Sequence, residues 1–204
     1  SLNVISENAS TVGSFDLGLY RTKDGSNEVL KNLQNNKYEI VYLLGQDNLK
    51  FKKKDEFIIY QGSHGDKGAE LADIILPGAA YTEQDGYFTN LEGKLQKAYK
   101  ASYPPEEAKE DWQIINELAE VMNHRKLFND KDELDSSLLN QVNLYLDKDN
   151  SKMPSILVDL KCEKEILNVN SEDYYYSNVI ARASKTMLEC KVAKAKFKSI
   201  DSEA

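Results

Sequence analysis

The spacing of apolar positions changes several times along this chain, and each change marks an element. Ile40-Val41-Tyr42-Leu43-Leu44, followed by Gly45, is a continuous apolar run rich in β-formers, the pattern of a strand that is apolar on both faces. Phe57 to Tyr60 and Ile74 to Leu76 are two more short runs bounded by Gly, Pro or charge, and both predict buried strands. Ahead of them, Ile5, Ala9 and Val12 fall at helical spacing and predict a short amphipathic helix from Leu2 to Val12, with Gly13 as its stop. Phe15 to Tyr20 reads as a glycine-broken connection, and Asp24-Gly25 as a turn. Ser26 is placed to cap a second helix that carries Val29, Leu30 and Leu33, has Glu28 in its first turn and ends near Asn35-Asn36.

Beyond Pro77-Gly78 the pattern shifts again. Tyr87 to Asn90 and Leu95 to Ala101 predict a β excursion joined by a Glu92-Gly93 turn and closed by Pro104-Pro105. Glu106 to Met122 predicts a helix that covers the sheet: prolines precede it, glutamates open it, and Ala108, Trp112, Ile115, Ala119 and Met122 form a stripe. Asp132 to Leu146 repeats that pattern with Leu134, Leu138, Val142 and Tyr145. From Asp147 to Tyr176 the chain is polar apart from Ile156-Leu157-Val158 and Tyr174-Tyr175-Tyr176, and reads as an irregular tail laid on the surface or on a partner. Val179, Ala183, Met187, Cys190, Ala193 and Phe197 predict one terminal helix with a single apolar stripe.

Helix, strand, loop, strand, strand in this order predicts an α/β fold with a mostly parallel sheet covered by helices. An irregular and helical C-terminal extension follows it. A chain of 204 residues accommodates one sizeable domain with a smaller appendage, and the boundary is expected between an α/β domain over 1–125 and an extension over 126–204.

Charge and composition narrow the function classes. The formal charge of −8 argues against a nucleic-acid surface, which needs a basic stripe. Lys50 to Lys54 is the basic cluster, and it reads as a solvated loop ahead of the Phe57 strand. No apolar run approaches the roughly twenty residues needed to cross a bilayer, and the start lacks the basic and apolar regions of a signal peptide. Ser1 in place of methionine leads us to expect a processed or excised piece. Cys162 and Cys190, with His64 and His124, are too few and too scattered to hold an iron–sulfur cluster or a structural zinc, so free thiols in a reducing compartment are expected. Cys190 lies on the apolar stripe of the terminal helix and reads as a small hydrophobe rather than a nucleophile.

Residues 57–96 concentrate the candidate chemistry. Gly62-Ser63-His64-Gly65-Asp66 and Gly68 predict a tightly shaped loop directly after a strand, where open α/β sheets place ligands. The loop lacks both the G-x-G-x-x-G of a dinucleotide site and the Gly-Lys-Ser/Thr of a P-loop. His64 and Asp66 read either as an acid–base pair or as residues that fix a tight turn through backbone hydrogen bonds. Glu83, Asp85 and Glu92 offer hard oxygen ligands, but their spacing matches no cation loop and they read as surface carboxylates. Trp112 and the tyrosine triplet read as packing or interface residues.

Tyr60-Gln61-Gly62-Ser63-His64-Gly65-Asp66, Ala72-Asp73-Ile74-Ile75-Leu76-Pro77-Gly78-Ala79-Ala80-Tyr81-Thr82-Glu83, then Gly86, Asn90, Glu92-Gly93, Pro104-Pro105 and Glu110-Asp111-Trp112 together resemble the C-terminal half of the family of large iron–sulfur subunits of respiratory complex I. Asn3-Val4 through Ala9-Ser10, Asp16-Leu17-Gly18 and Arg182 to Met187 extend the resemblance to most of the chain, while 130–176 resembles nothing closely. The broader family is the molybdopterin oxidoreductases, so the resemblance implies a partial molybdopterin-oxidoreductase-like domain. In its cofactor-bearing members this domain helps wall the pterin site, whereas the complex I subunit keeps the fold without the cofactor. Two positions depart from the broader pattern. Tyr87 stands where a threonine usually follows the glycine, and Lys94 where an arginine usually follows Glu-Gly, which loses the planar recognition of phosphate that a guanidinium provides.

The resemblance implies a structural part of a proton-translocating NADH:quinone oxidoreductase, with no catalytic residue, cofactor or metal in this chain. His64, Asp66, Asn90 and Glu92 are then vestigial pterin-site candidates, and the iron–sulfur clusters belong to the family's N-terminal region. The implied partners are that N-terminal region and other peripheral-arm subunits, on the cytoplasmic face of a bacterial inner membrane or the mitochondrial matrix side, with no nucleic acid and no membrane span. The alternative reading is a fragment of an active molybdopterin-dependent oxidoreductase in which those four residues approach the cofactor. A third is an unrelated small ligand in the glycine loop.

Overall fold

A computed structural model describes residues 9–19, 25–46, 49, 51–146 and 174–201. The predicted elements over 1–8 and 147–173, with the Ile156-Leu157-Val158 run and Cys162, lie outside the described residues.

Three parallel strands form the central sheet in the order β1-β2-β3: β1 (Ile40–Leu44), β2 (Phe57–Gly62) and β3 (Ile74–Pro77). Register pairs Ile40 with Phe57, Tyr60 with Leu43 and Ile75, and Ile59 with Ile74. Side chains alternate across a strand, so this register sorts the apolar residues onto two faces. On one face Leu43, Ile58 and Tyr60 are buried and form the core, with Val41, Leu49, Phe51, Ala69, Leu71 and Ala72 packed against them. That face is covered by the β1–β2 connection and by α3 (Lys67–Leu71). The other face carries Ile40, Leu44, Phe57 and Ile74, which are exposed, together with half-buried Tyr42, Ile59 and Leu76 and buried Gln61; on the first face Ile75 is exposed on β3. The expectation of buried strands is therefore corrected in part: β2 is the buried centre of the sheet, whereas among the described residues β1 and β3 are edges that each expose apolar side chains.

At the start of β3, Asp73 anchors the sheet. Its carboxylate accepts from the Ile58 backbone N–H at 2.8 Å and from Lys53 Nζ at 2.5 Å. The Ile58 hydrogen bond, supported by Lys53, holds the Asp73 carboxyl below its ordinary value.

The helices depart from the sequence pattern in instructive ways. α1 (Thr11–Asp16) runs through Gly13, which was expected to stop it. The left-handed residue is Gly18 (φ 68), where the Gly18 and Leu19 N–H groups close onto Phe15 O and Ser14 O; glycine inside a helix costs only about 1 kcal/mol. α2 (Gly25–Gln34) ends where expected, at left-handed Asn36, but begins one residue before Ser26, the predicted cap. The hairpin of β4 (Gly86–Thr89) and β5 (Leu95–Ala98) turns at Gly93 (φ 82) as predicted.

α4 (Asp111–Asn123) starts five residues later than its prolines suggest. Glu110 forms a capping box with Gln113, whose Oε1 accepts the Glu110 N–H at 3.1 Å, and Glu106 ahead of it has φ 49, which no helix allows. Its buried positions are Ile114 and Asn116, while Met122 on the predicted stripe is exposed. The helix therefore does not lie over the sheet with that stripe; it reaches the sheet through its first turn. Asn116 instead ties α4 to the following loop, accepting from the Leu127 and Phe128 N–H groups at 2.7 and 3.0 Å. α5 (Lys131–Leu146) matches its predicted span and is tethered to the hairpin through Asp135, which accepts from Lys97 Nζ at 2.8 Å.

The predicted single terminal helix is two. α6 (Val179–Ala183), capped by Asn178, stops at Ser184, whose extended backbone (ψ 122) separates it from α7 (Lys185–Asp201). Cys190 is exposed on α7 rather than buried in a stripe. A 3₁₀ turn at Tyr174–Tyr176 precedes α6, and the rings of Tyr176 and Tyr175 receive Lys191 and Lys194 at 4.0 and 5.3 Å, contacts of cation–π type.

Candidate functional site

The loop after β2 is shaped by one side chain, Tyr60. Its hydroxyl donates to His64 O at 3.0 Å, and the glycines on either side make room for its ring. A Cβ on Gly62 would collide with the Tyr60 hydroxyl, and one on Gly68 would lie 2.7 Å from Gln46 O and 2.8 Å from the ring. Close approach, not left-handed backbone, is what these two glycines serve. Gly68 falls within α3 rather than in the loop.

A cleft of about 650 Å³ opens beside this loop at the C-terminal ends of β2 and β3, the position that open α/β sheets reserve for ligands. Ser63, His64, Pro77, Glu83, Glu106 and Glu107 are among the residues that line it. His64 Nδ1 lies 3.0 Å from Ser63 Oγ. Glu83 Oε2 accepts from the Ala80 N–H at 2.9 Å.

The four predicted site residues are dispersed. His64 alone lines the cleft. Asp66 caps α3 through the Lys67 N–H at 2.9 Å and accepts from Arg182 Nε at 2.6 Å. Burial pushes the Asp66 carboxyl up, but Arg182 and the Lys67 N–H outweigh it and hold the group below the ordinary value. Asn90 Oδ1 accepts from the Glu92 and Lys94 N–H groups at 3.0 and 2.9 Å, which sets the hairpin turn. Glu92 projects from that turn and is exposed.

Sequence reading missed a polar network at the same end of the sheet. Gln61 is fully buried. Its Oε1 accepts from the Tyr42 hydroxyl and its Nε2 donates to Asp111 Oδ1 at 2.7 Å. Gln84 Nε2 donates to the other Asp111 oxygen at 3.1 Å. Burial first, and the nearby Asp111 charge second, push the Tyr42 hydroxyl above its ordinary value. The available signal was a glutamine inside an apolar run, since a buried amide needs partners for both its donor and its acceptor.

Residues 1–121 match the family model for molybdopterin oxidoreductases. The chain belongs to the molybdopterin oxidoreductase family. Residues 158–190 match a second model, which describes the C-terminal part of the G subunit of NADH-ubiquinone oxidoreductase. Among curated relatives, the G subunit of NADH-quinone oxidoreductase from Rickettsia bellii is 40% identical over 201 residues, 97% of this chain and 28% of that protein. The NADH-ubiquinone oxidoreductase 75 kDa subunit of Reclinomonas americana is 36% identical over 197 residues, 92% of this chain and 28% of that protein. The mitochondrial 78 kDa subunit of Candida albicans is 33% identical over 205 residues, 93% and 27% respectively. The chain thus spans little more than a quarter of the length of these relatives.

The family's pterin cofactor carries an anionic phosphate. Among the described residues the lining of the cleft includes three glutamates and no lysine or arginine, so an anion entering it meets like charge with no cation or guanidinium from these residues to receive it. The donor set does not fit that group. Neither Tyr87 nor Lys94 lines the cleft. The Tyr87 hydroxyl lies 3.4 Å from Asp135 Oδ2 with Lys97 Nζ over its ring, and Lys94 is exposed on the hairpin turn.

Proposed function

We propose that this chain is the C-terminal structural part of the large iron–sulfur subunit of a proton-translocating NADH:quinone oxidoreductase, supporting electron transfer without a redox centre or catalytic residue of its own. One observation carries the reading: three of the polar residues at or beside the candidate pterin wall hold the fold together, and Glu92 is exposed away from the cleft. Asp66 caps α3 and binds Arg182, Asn90 shapes a turn, and Glu83 secures the Ala80 backbone. The similarity to the NADH dehydrogenase subunits over more than nine-tenths of the chain points the same way.

In this reading 1–125 is an α/β domain retained from the family and 126–204 is an extension specific to the complex I subunit. Iron–sulfur clusters sit in the N-terminal region of the same polypeptide. That region and other peripheral-arm subunits are the partners, on the cytoplasmic or matrix side of an energy-transducing membrane. No helix among the described residues is long and apolar enough to cross a membrane.

Metal analysis of the purified complex tests the proposal. Iron at cluster stoichiometry with molybdenum and tungsten at background, and unchanged NADH:quinone turnover in His64→Ala, is the expected result. Stoichiometric molybdenum or tungsten with pterin overturns it in favour of an active molybdopterin oxidoreductase.

A further inference from the structure

We propose that the pocket between α1, the β4–β5 hairpin and α5 is a binding site for a small neutral organic molecule, an apolar ring that carries one hydroxyl or carbonyl oxygen. The three elements each turn one face to a cavity of about 240 Å³. Gly13, Ser14 and Leu17 follow at helical spacing along α1 and its C-cap, Thr89 faces Leu95 across the hairpin register, and Leu138 and Val142 stand one turn apart on α5. Ser10 and Leu19, both exposed, also line the pocket and give a ligand its way in. Among the described residues no carboxylate, lysine, arginine or histidine lines it, so a charged ligand would enter without a counter-ion. The site shares no residue with the cleft beside His64, and it is independent of the complex I reading.

One polar atom of the wall is left over. Thr89 is 3% exposed, and its Oγ1 has no hydrogen-bond partner among the described residues. The neighbouring hydroxyls are engaged: Ser14 Oγ donates to Thr11 O at 2.6 Å, and the Tyr87 hydroxyl lies 3.4 Å from Asp135 Oδ2. A buried hydroxyl without a partner costs free energy, and native folds satisfy nearly all such groups. Gly13 keeps the space in front of this one open, since a Cβ there would stand 3.6 Å from Thr89 Oγ1. A threonine hydroxyl both donates and accepts, which suits either a hydroxyl or a carbonyl on the ligand. An apolar cavity of about 150 Å³ holds one benzene, so the larger volume here admits a ring with one polar substituent. A lone water is the poorer occupant, because it needs two to four polar partners and the walls around Thr89 are largely apolar.

The test uses the complete polypeptide with two probes, p-fluorophenol and fluorobenzene, whose binding is read by fluorine NMR line broadening. p-Fluorophenol is expected to bind saturably. Thr89→Val should weaken it roughly tenfold, the loss of one hydrogen bond, while leaving fluorobenzene unchanged. Thr89→Ser should restore the affinity, and Leu138→Phe, which fills the pocket, should remove both probes. Without probe, Thr89→Val should raise the melting temperature, because it deletes an unpaired buried hydroxyl; a change of opposite sign to the loss of affinity shows that the variant still folds. Absence of saturable binding by p-fluorophenol overturns the inference. So does p-fluorophenol binding that is equal in Thr89→Val or undiminished in Leu138→Phe. A melting temperature that falls in Thr89→Val overturns it as well, since the hydroxyl is then already paired within the polypeptide.

Discussion

Arg182 Nε donates to Asp66 Oδ2 at 2.6 Å across a separation of 116 positions in sequence. This pair fastens α6 to the loop that follows the central strand β2, and the same carboxylate caps α3. The two side chains are 18% and 20% exposed, so the pair is far less screened than a surface bridge.

Asp66→Asn and Asp66→Ala separate the two roles. Asparagine keeps the cap but removes the charge, and should cost up to about 1 kcal/mol of the α6 contact. Alanine removes both and should cost about 1 kcal/mol more. Hydrogen exchange at the Ala181 to Ala183 amides of the complete polypeptide measures the first effect, and exchange across α3 the second. Equal exchange in α6 for both variants and the unaltered protein sinks this account of the contact.

Acid should weaken the fold through three carboxyls. Asp66, Asp73 and Asp135 are each held below the ordinary value; at Asp135 burial acts upward, but Lys97 and Lys131 outweigh it. A folded value below the unfolded one of about 3.9 means that the stabilisation is present above that pH and is lost as pH falls through the folded values. Stability by urea titration should be level above about pH 5 and decline below about pH 4. The decline should be shallower in a variant carrying Asp66→Asn and Asp135→Asn.

Two glycines in the same region should respond oppositely to alanine. Gly68→Ala improves helix propensity but drives a methyl group against Gln46 O and the Tyr60 ring, and should destabilise by about 1–3 kcal/mol. Gly65 has open space at its Cβ position and no left-handed backbone, so Gly65→Ala should be neutral or stabilise by up to about 1 kcal/mol. Thermal denaturation of the paired variants decides the matter.

The Tyr42–Gln61–Asp111 network makes a prediction at alkaline pH. Tyr42 has a raised value, so its contribution is complete below the unfolded value near 10 and is lost as pH rises through the folded one. Asp111→Asn removes the nearby negative charge and should lower the ionisation midpoint of Tyr42, read as the ultraviolet difference between that variant and its Tyr42→Phe partner. Tyr42→Phe alone leaves Gln61 Oε1 without its donor inside the fold and should cost about 1–2 kcal/mol.

The strands were legible because short apolar runs ended by glycine or proline leave little choice of structure: β1, β2, β3 and the hairpin fall where the pattern places them. Helix ends were not. The cap of α4 is a glutamate, a residue that does not announce a helix start, so the prolines five residues earlier were the stronger local signal and misled. Gly13 and Gly18 carry equal local weight as stops, and the closing hydrogen bonds to Phe15 and Ser14 select Gly18. At the site, the glycine loop, His64 and the Asn90 turn could be found from sequence, whereas Gln61, Asp111 and Arg182 are separated by tens of residues from what they bind.

From the sequence alone come the element types, the α/β class, the family and the acidic character, since each depends on neighbours in the chain or on composition. The tertiary structure alone decides which sheet face is covered, that Tyr60 is the reason for Gly62 and Gly68, and that Asp66 serves Arg182 rather than His64. Those outcomes depend on strand order and on packing between distant segments, and a run such as Ile40 to Leu44 reads the same whether it lies at the centre of a sheet or at its edge.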